Sequence, residues 1–350
     1  MSQYVKIPVT ATLTGFEDST KFYLVNLDST QQKDSAYLIN GKLKFECQIS
    51  ESVVFRLYPK PEKKFIYANF WIERKPISLT GSKEKFSNLQ IVGSPINTIY
   101  KSVLGKIATL EALENKLMDI YSKETNKDKG EGILKSISEL NKEIINIRLE
   151  TIATFNPSLV TIKELYFLRN DLTTDSLRLL FAKFPLSMKK TKYGEVISQY
   201  LLTGPIKIGS SASDISGKDF NKKSINLSLF KSKIVLLDFW ASWCGSCRMS
   251  NKDLAELYKK YHASGFEIIS FSLDNELEDW KNASNEDSIT WINISDLMGF
   301  YSKQAANYKI RGLPHSFLID QNGKIIQILS GYGKNSLTIL ESNIQNLTKK

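Results

Sequence analysis

Residues 234–247, Ile-Val-Leu-Leu-Asp-Phe-Trp-Ala-Ser-Trp-Cys-Gly-Ser-Cys, constrain what this chain can fold into more than any other stretch. The run from Ile234 to Trp240 is apolar, β-branched and of strand length, and it reads as a buried strand. It enters a tight turn that brings Cys244 and Cys247 to the expected start of a helix. The first helical turn has free N–H groups whose partial positive charge favours thiolate over thiol. A thiolate attacks a disulfide, and a second thiol one turn along displaces the bound partner and closes the ring. The spacing makes Cys244 the expected nucleophile and Cys247 the expected resolving cysteine.

Other uses of a C-x-x-C pair fit this chain less well. Zinc wants four ligands, and the other candidates are Cys47, His262 and His315, scattered along the sequence. Haem attachment requires His directly after the second cysteine, where this chain has Arg248. A static structural disulfide fits the spacing, but the flanking Trp240 and Trp243 favour an exposed, exchangeable one. Two buried, inert thiols are a poor fit so close to a helix start.

The following residues continue the pattern. Residues 248–261 carry Met249, Leu254, Leu257, Tyr258 and Tyr261 at near-helical spacing, ending at Gly265. A second strand is expected over 266–273, and residues 310–315 lead into a third over 316–319. Residues 320–323, Asp-Gln-Asn-Gly, form a turn before an alternating strand over 324–329. A terminal helix over about 336–347 closes the series. Strands alternating with helices predict an α/β sheet of mixed strand direction.

From about Pro205 to the C-terminus the chain resembles the TlpA/ResA-like thiol–disulfide oxidoreductases of the thioredoxin superfamily. The resemblance rests on VLLDFWASWCGSC at 235–247, GLPHSFLIDQNGKII at 312–326 and an inserted helix–strand segment around 276–294. It implies an α/β thioredoxin fold, a redox-active Cys244–Cys247 disulfide and no other cofactor. It also implies that Pro314 is a cis-proline whose backbone faces the disulfide, with Leu313 and Trp243 as further substrate contacts. The alternative is an ordinary trans turn proline. Asp238, six positions before Cys244, matches the family's buried acid beneath the disulfide. A carboxyl in an apolar strand has a raised pKa and exchanges protons with the resolving thiol through water; the alternative is a solvated strand-end carboxylate. The chain departs from many ResA-like members at Ser250 and Lys252, where they carry Glu and Pro. His315 stands where Thr is usual, and is expected to be an unpaired loop histidine rather than a sensor of the thiolate.

A chain of 350 residues exceeds one hydrophobic core. Residues 1–95 read as an all-β sandwich domain. Val9, Ala11 and Leu13 alternate, as do Leu43, Phe45, Cys47 and Ile49, and Asn40-Gly41 is a hairpin signal. A β-sandwich of this kind often precedes the TlpA-like module in bacterial cell-envelope relatives. Cys47 on the inward side is expected to be a small buried hydrophobe. Residues 96–203 read as a helical region, with stripes Ile99, Val103, Ile107, Leu110, Leu113, Leu117, Ile120 and Ile133, Ile137, Leu140, Ile144, Ile147, Leu149. The charged stretch 123–131 is expected to be a solvated connection between them. Residues 203–205 open a linker, and 204–350 form the thioredoxin-like module.

A net charge of +10 does not by itself mark a nucleic-acid partner, because lysines are interspersed with acids and no basic stripe or aromatic platform accompanies them. Solubility, or weak peripheral attraction to anionic envelope surfaces, accounts for it. No apolar run is long enough to span a membrane, and residues 1–6 lack the apolar core of a signal peptide. The envelope is nonetheless the expected location, on resemblance, with the cytoplasm as the alternative. The function expected is a thiol–disulfide oxidoreductase that reduces protein disulfides with electrons from an upstream donor. The alternatives are an envelope binding or scaffold protein, or a thiol peroxidase. The Pro-x-x-x-Thr-x-x-Cys loop of the last is absent, since positions 237 and 241 are Leu and Ala.

Overall fold

The computed structural model describes residues 4–27, 29–50, 52–60, 66–124 and 126–349. Contacts divide the chain into two compact units, Met1–Met188 and Lys189–Lys350.

The first unit begins with eight strands in two four-stranded sheets. One holds β1 (Val5–Thr14), β4 (Lys42–Ile49), β7 (Ile77–Ser82) and β8 (Gln90–Val92) in the order β4-β1-β7-β8. The other holds β2 (Lys21–Asn26), β3 (Ser29–Tyr37), β5 (Val53–Pro59) and β6 (Ala68–Ile72) in the order β3-β2-β5-β6. Period-two alternation sets the packing. Leu43, Phe45, Cys47 and Ile49 point inward from β4, opposite Ile7, Val9 and Ala11 of β1. They meet Phe22, Leu24, Phe55, Leu57 and Phe70 of the second sheet in one core, so this part is a β-sandwich. Burial pushes the Cys47 thiol up to about 12, which keeps it protonated and inert.

Asn40 and Gly41 both have positive φ, and Ile39 and Lys42 exchange two backbone hydrogen bonds across them. That is the two-residue turn their sequence predicts. Yet β3 and β4, which it joins, lie in different sheets. A tight turn fixes one bridging pair; beyond it each strand pairs where its apolar face reaches the core.

The helices of this unit are α1 (Ile96–Lys123), α2 (Lys127–Thr154), α3 (Leu159–Leu168), α4 (Thr174–Ala182) and α5 (Leu186–Lys189), the last ending at the unit boundary. Val103 and Ile107 of α1 bury against Ile144 of α2. Ile99 and Leu110 pack against this seam, but the far end of the α1 stripe is not core: Leu113 and Ile120 are 46% and 52% exposed. A helix pair by itself buries only a narrow seam, and a long stripe runs past it. The connection is also shorter than expected. Asn126 caps α2 by accepting from the Lys129 N–H, so residues 127–131 are already helical.

The second unit opens on α6 (Lys192–Leu202), which the sequence grouped with the preceding helices. Here Gln199 donates to Asn307 at 2.7 Å, and the Lys309 ammonium donates to the Thr203 hydroxyl at 2.7 Å. The remaining strands are β9 (Ser216–Lys218), β10 (Ser224–Asn226), β11 (Ile234–Trp240), β12 (Phe266–Ser272), β13 (Ile292–Ser295), β14 (His315–Ile319) and β15 (Ile325–Ser330). They form a seven-stranded sheet in the order β10-β9-β13-β12-β11-β14-β15, with β11, β12 and β13 mutually parallel and the others antiparallel to their neighbours. The helices are α7 (Gly245–Tyr261), α8 (Leu277–Glu286), α9 (Lys303–Asn307) and α10 (Lys334–Thr348).

Every residue of β11 is buried because both sheet faces are covered. Val235, Leu237 and Phe239 enter one core with Phe271 and Phe317. Ile234 and Leu236 enter the other with Leu254 and Leu257 of α7 and Leu340 and Ile344 of α10. Met249, read as part of the α7 stripe, instead faces solvent at 53% exposure. The buried face of α7 runs through Cys247, Asn251, Leu254, Leu257 and Tyr261, and Met249 lies off it. The sheet and its flanking helices make the α/β thioredoxin fold. No helix among the described residues is long and apolar enough to cross a membrane.

Candidate active site

Strand β11 ends at Trp240, and four residues later Cys244 is the N-cap of the 17-residue helix α7. Cys244 and Cys247 are joined in a disulfide. The Cys247 N–H donates to the Cys244 sulfur at 3.2 Å, and the Ser246 hydroxyl lies 3.5 Å from the same atom. A free helix N–H aimed at this sulfur lowers the cost of carrying negative charge there. Cys244 is 7% exposed and Cys247 1%, so Cys244 is the sulfur a large partner can reach.

The pair sits in an apolar cluster with Trp240, Ala241, Trp280 and Ala283, against which Leu313 packs. The Leu313–Pro314 peptide is cis, Pro314 is buried, and its carbonyl accepts from the Gly331 N–H. Trp243 is 60% exposed beside Cys244, its ring 6.1 Å from Phe300. Of the residues singled out from the sequence, the fold therefore gathers Cys244, Cys247, Trp243 and Leu313 at one end of the sheet, with Pro314 following Leu313.

Asp238 lies within β11, cross-strand from Ser270 on β12 and Ser316 on β14. It is 2% exposed, not solvated at a strand end, and Ser316 donates to its Oδ1 at 2.7 Å. Burial pushes its pKa up to about 6, opposed by the hydrogen bonds from Ser316 and Ser270. Its hydrogen-bond partners are these hydroxyls, not a sulfur.

His315 corrects the expectation of an unpaired loop residue. It opens β14, its ring rests 5.0 Å from Phe317, and Nδ1 lies 3.3 Å from the Ser330 hydroxyl on β15. Burial lowers its pKa, so the neutral ring is favoured. Ser250 is half-buried and Lys252 exposed, and α7 continues unbroken through both.

Three further groups hold the site, and the sequence reading passed over them. Asp274 is 1% exposed and accepts from the Ser242 N–H, the Ser242 hydroxyl and the Ser272 hydroxyl, which fixes the loop before the cysteines. Asn293 accepts from both Trp240 and Trp280 indole N–H groups, at 3.2 and 3.0 Å. Arg248 pairs with Asp287 and Glu286, and Asn251 donates to Asp287, tying the first turns of α7 to the end of α8. An Asn inside the apolar strand Ile292–Ser295 was the available signal, since a buried amide needs partners.

Comparison with known proteins agrees with this geometry. Residues 208–328 match the model of the AhpC/TSA family, and residues 7–100 match a domain of unknown function, DUF4369. The chain is 36% identical over 126 residues to thiol-disulfide oxidoreductase ResA of Bacillus thuringiensis subsp. konkukian, covering 36% of this chain and 71% of that protein. It is 29% identical over 127 residues to ResA of Bacillus subtilis, covering 36% of this chain and 69% of that one. Among solved structures, the thioredoxin domain of a thiol-disulfide oxidoreductase from Bacteroides vulgatus matches at 33% identity and a TM-score of 0.38, covering 40% of this chain and 99% of that one. With Cys244 capping a helix just past the end of the central strand and Cys247 in its first turn, and with a ResA relative 36% identical and matched over 71% of its length, the chain belongs to the TlpA/ResA-like thiol–disulfide oxidoreductases of the thioredoxin superfamily.

Proposed function

We propose that this oxidoreductase reduces disulfides in protein substrates through Cys244 and Cys247, with no cofactor beyond that pair. The observation that carries the reading is the Cys244 sulfur at the N-cap of α7, accepting the Cys247 N–H. In the reduced enzyme the Cys244 thiolate attacks one sulfur of the substrate disulfide, forms a mixed disulfide and expels the other sulfur as a thiolate. Cys247 then loses its proton and attacks the Cys244 sulfur. The mixed disulfide breaks, the second substrate sulfur leaves as a thiolate, and the Cys244–Cys247 bond forms. Two electrons pass to the substrate, the Cys247 proton goes to Asp238 through water, and the two substrate thiolates take their protons from solvent. An upstream thiol donor returns the enzyme to its dithiol form.

Asp238 is the assigned acceptor of the Cys247 proton, through water. A carboxylate with a pKa of about 6 is mostly ionised at neutral pH yet basic enough to take a proton transiently. Trp243, Leu313 and the cis-Pro314 backbone are the assigned contacts for an extended substrate segment. The assigned setting is the bacterial cell envelope, which the resemblance implies. Residues 1–95, 96–203 and 204–350 are the assigned sandwich, helical and redox regions, with α6 at the end of the helical region belonging to the compact unit that holds the redox region.

The test is the dithiothreitol-driven reduction of insulin, followed by turbidity. The wild-type chain should accelerate it, and Cys244→Ala should return the rate to the uncatalysed background. A Cys244→Ala protein that keeps more than half the wild-type rate would remove Cys244 from the reaction.

A further inference from the structure

Strand register sets four residues in one row at the end of the sheet that carries the cysteines. Trp240 of β11 pairs with Ser272 of β12, Ser272 with Ser295 of β13, and Ser295 with Lys218 of β9. Lys218 is thus three strand spacings from Trp240, about 14 Å at roughly 4.8 Å per strand. Beyond Lys218, residues 219–223 turn the β9–β10 hairpin at this same end. Phe220 in that turn lays its ring 4.2 Å from the ring of Trp280.

Between this hairpin and α8 lies a cavity of about 820 Å³, within the range of small-molecule and side-chain binding pockets. Its apolar wall is Phe220, Leu277, Trp280 and Leu297. These are the residues that belong to, or pack against, the cluster containing Cys244 and Cys247. The wall is rigid. Asn293 holds the Trp280 indole, Ser284 holds the Asn293 amide at 2.9 Å, and the Ser284 hydroxyl returns to the Trp280 carbonyl. The pocket and the redox pair therefore share one fixed side chain.

The rim carries a specific charge pattern. Asp219 accepts from the Asn221 and Lys223 N–H groups of its own turn, and Asp296 accepts from the Ser302 hydroxyl and the Met298 N–H. These hydrogen bonds hold both carboxylates within their own loops, although they do not cancel the carboxylate charge. Among the described residues, the ammonium groups of Lys218 and Lys222 have no ion-pair partner. An apolar wall beneath two unpaired cations fits an apolar side chain with a carboxylate next to it.

We propose that this cavity is a subsite for the substrate polypeptide, taking an apolar side chain against Phe220, Leu277 and Leu297 and an adjacent acidic residue at Lys218 and Lys222. The inference rests on the reading of Cys244 as the attacking thiol. The row of about 14 Å runs from Trp240, the last strand residue before the cysteine loop, to Lys218; at about 3.3 Å per extended residue it corresponds to roughly four residues, which sets the spacing to be tested between the substrate cysteine and the subsite. Cation–carboxylate attraction at the rim raises the encounter rate and is screened by salt.

The experiment compares two disulfide-bonded peptides that carry Leu four positions from one cysteine and differ only at the fifth, Glu in one and Lys in the other. Hydroxyethyl disulfide, small and uncharged, serves as the control. The wild-type enzyme should reduce the Leu-Glu peptide with a kcat/KM about tenfold higher, carried mainly by KM, and the ratio should shrink as salt rises. In Lys218→Glu/Lys222→Glu the ratio should invert. Ser224→Trp, which fills the cavity, should cost the Leu-Glu peptide its advantage over a Gly-Glu version. Equal rates for both charged peptides with wild type, or a charge-reversed protein that slows both alike, would overturn the subsite. Failure of wild type to reduce hydroxyethyl disulfide would instead overturn the redox reading beneath it.

Discussion

Cys247→Ala is expected to accumulate a covalent complex with its substrate, joined through Cys244, whereas wild type shows none at steady state. Attack on the substrate disulfide needs only Cys244, which keeps its place at the α7 N-cap and the backbone N–H of residue 247. Release needs the second thiol, and without it the mixed disulfide persists until an outside thiol intervenes. Cys244→Ala removes the sulfur that a partner can reach and leaves one that is 1% exposed. It should trap almost nothing. Non-reducing electrophoresis with mass mapping of the linked peptide reads both variants. Equal trapping by the two, or trapping by Cys244→Ala alone, would reverse the assignment.

Asp238→Asn should have two effects of opposite sign. On the reaction, loss of a proton acceptor should slow the resolving step by about a hundredfold near neutral pH, at the lower end of general-base contributions. On stability, the change should help. Asp238 has a folded-state pKa near 6, raised from 3.8. Its contribution is therefore fully favourable below pH 4 and is lost as pH rises through 6. The cost of burying the ionised carboxylate above that range is about 3 kcal/mol from the size of the shift. The wild-type second unit should lose stability from pH 4 to pH 7, and Asp238→Asn should lack that slope and exceed wild type at pH 8. Denaturant titrations across this range, alongside stopped-flow reduction of a model disulfide, separate the two. A stabilised protein with an unchanged rate from pH 6 to 9 would leave Asp238 a purely structural residue.

What the sequence revealed was local in chain distance. The strand Ile234–Trp240, the helix after Cys244 and the Asn40-Gly41 turn each follow from residues within one element, and each is where its pattern put it. Periodicity did not say what would cover a face. The α1 stripe continues through Leu113 and Ile120 although both stay about half exposed, and Met249 joined the apolar series of α7 only because its spacing was nearly helical. Nor did it say which sheet a strand would join, as β3 and β4 illustrate on either side of a correctly read turn.

The supports of the site were hidden for the same reason. Asp274 meets Ser242 across 32 residues, and Asn293 meets Trp240 across 53. Neither pairing leaves a mark in any short window. The β9–β10 hairpin went unread because strands of three residues carry too few positions to show a period. His315 was misjudged because its partners, Phe317 and Ser330, define it only once β14 and β15 pair.

The claim that Cys244 and Cys247 form an exchangeable, reducing couple is tested most directly by equilibrating the full chain with glutathione and dithiothreitol buffers. Free thiols are counted by alkylation and mass. Both thiols should appear together as one two-electron couple. The Gly245-Ser246 pair places no histidine between the cysteines to stabilise the thiolate further, so the potential should lie nearer thioredoxin, at about −270 mV, than the oxidant DsbA, at about −120 mV. A disulfide that fails to equilibrate would contradict the account outright. A value above about −180 mV would mean that the reduced form gains about 4 kcal/mol over that of thioredoxin, and the protein would then be an oxidant rather than a reductase.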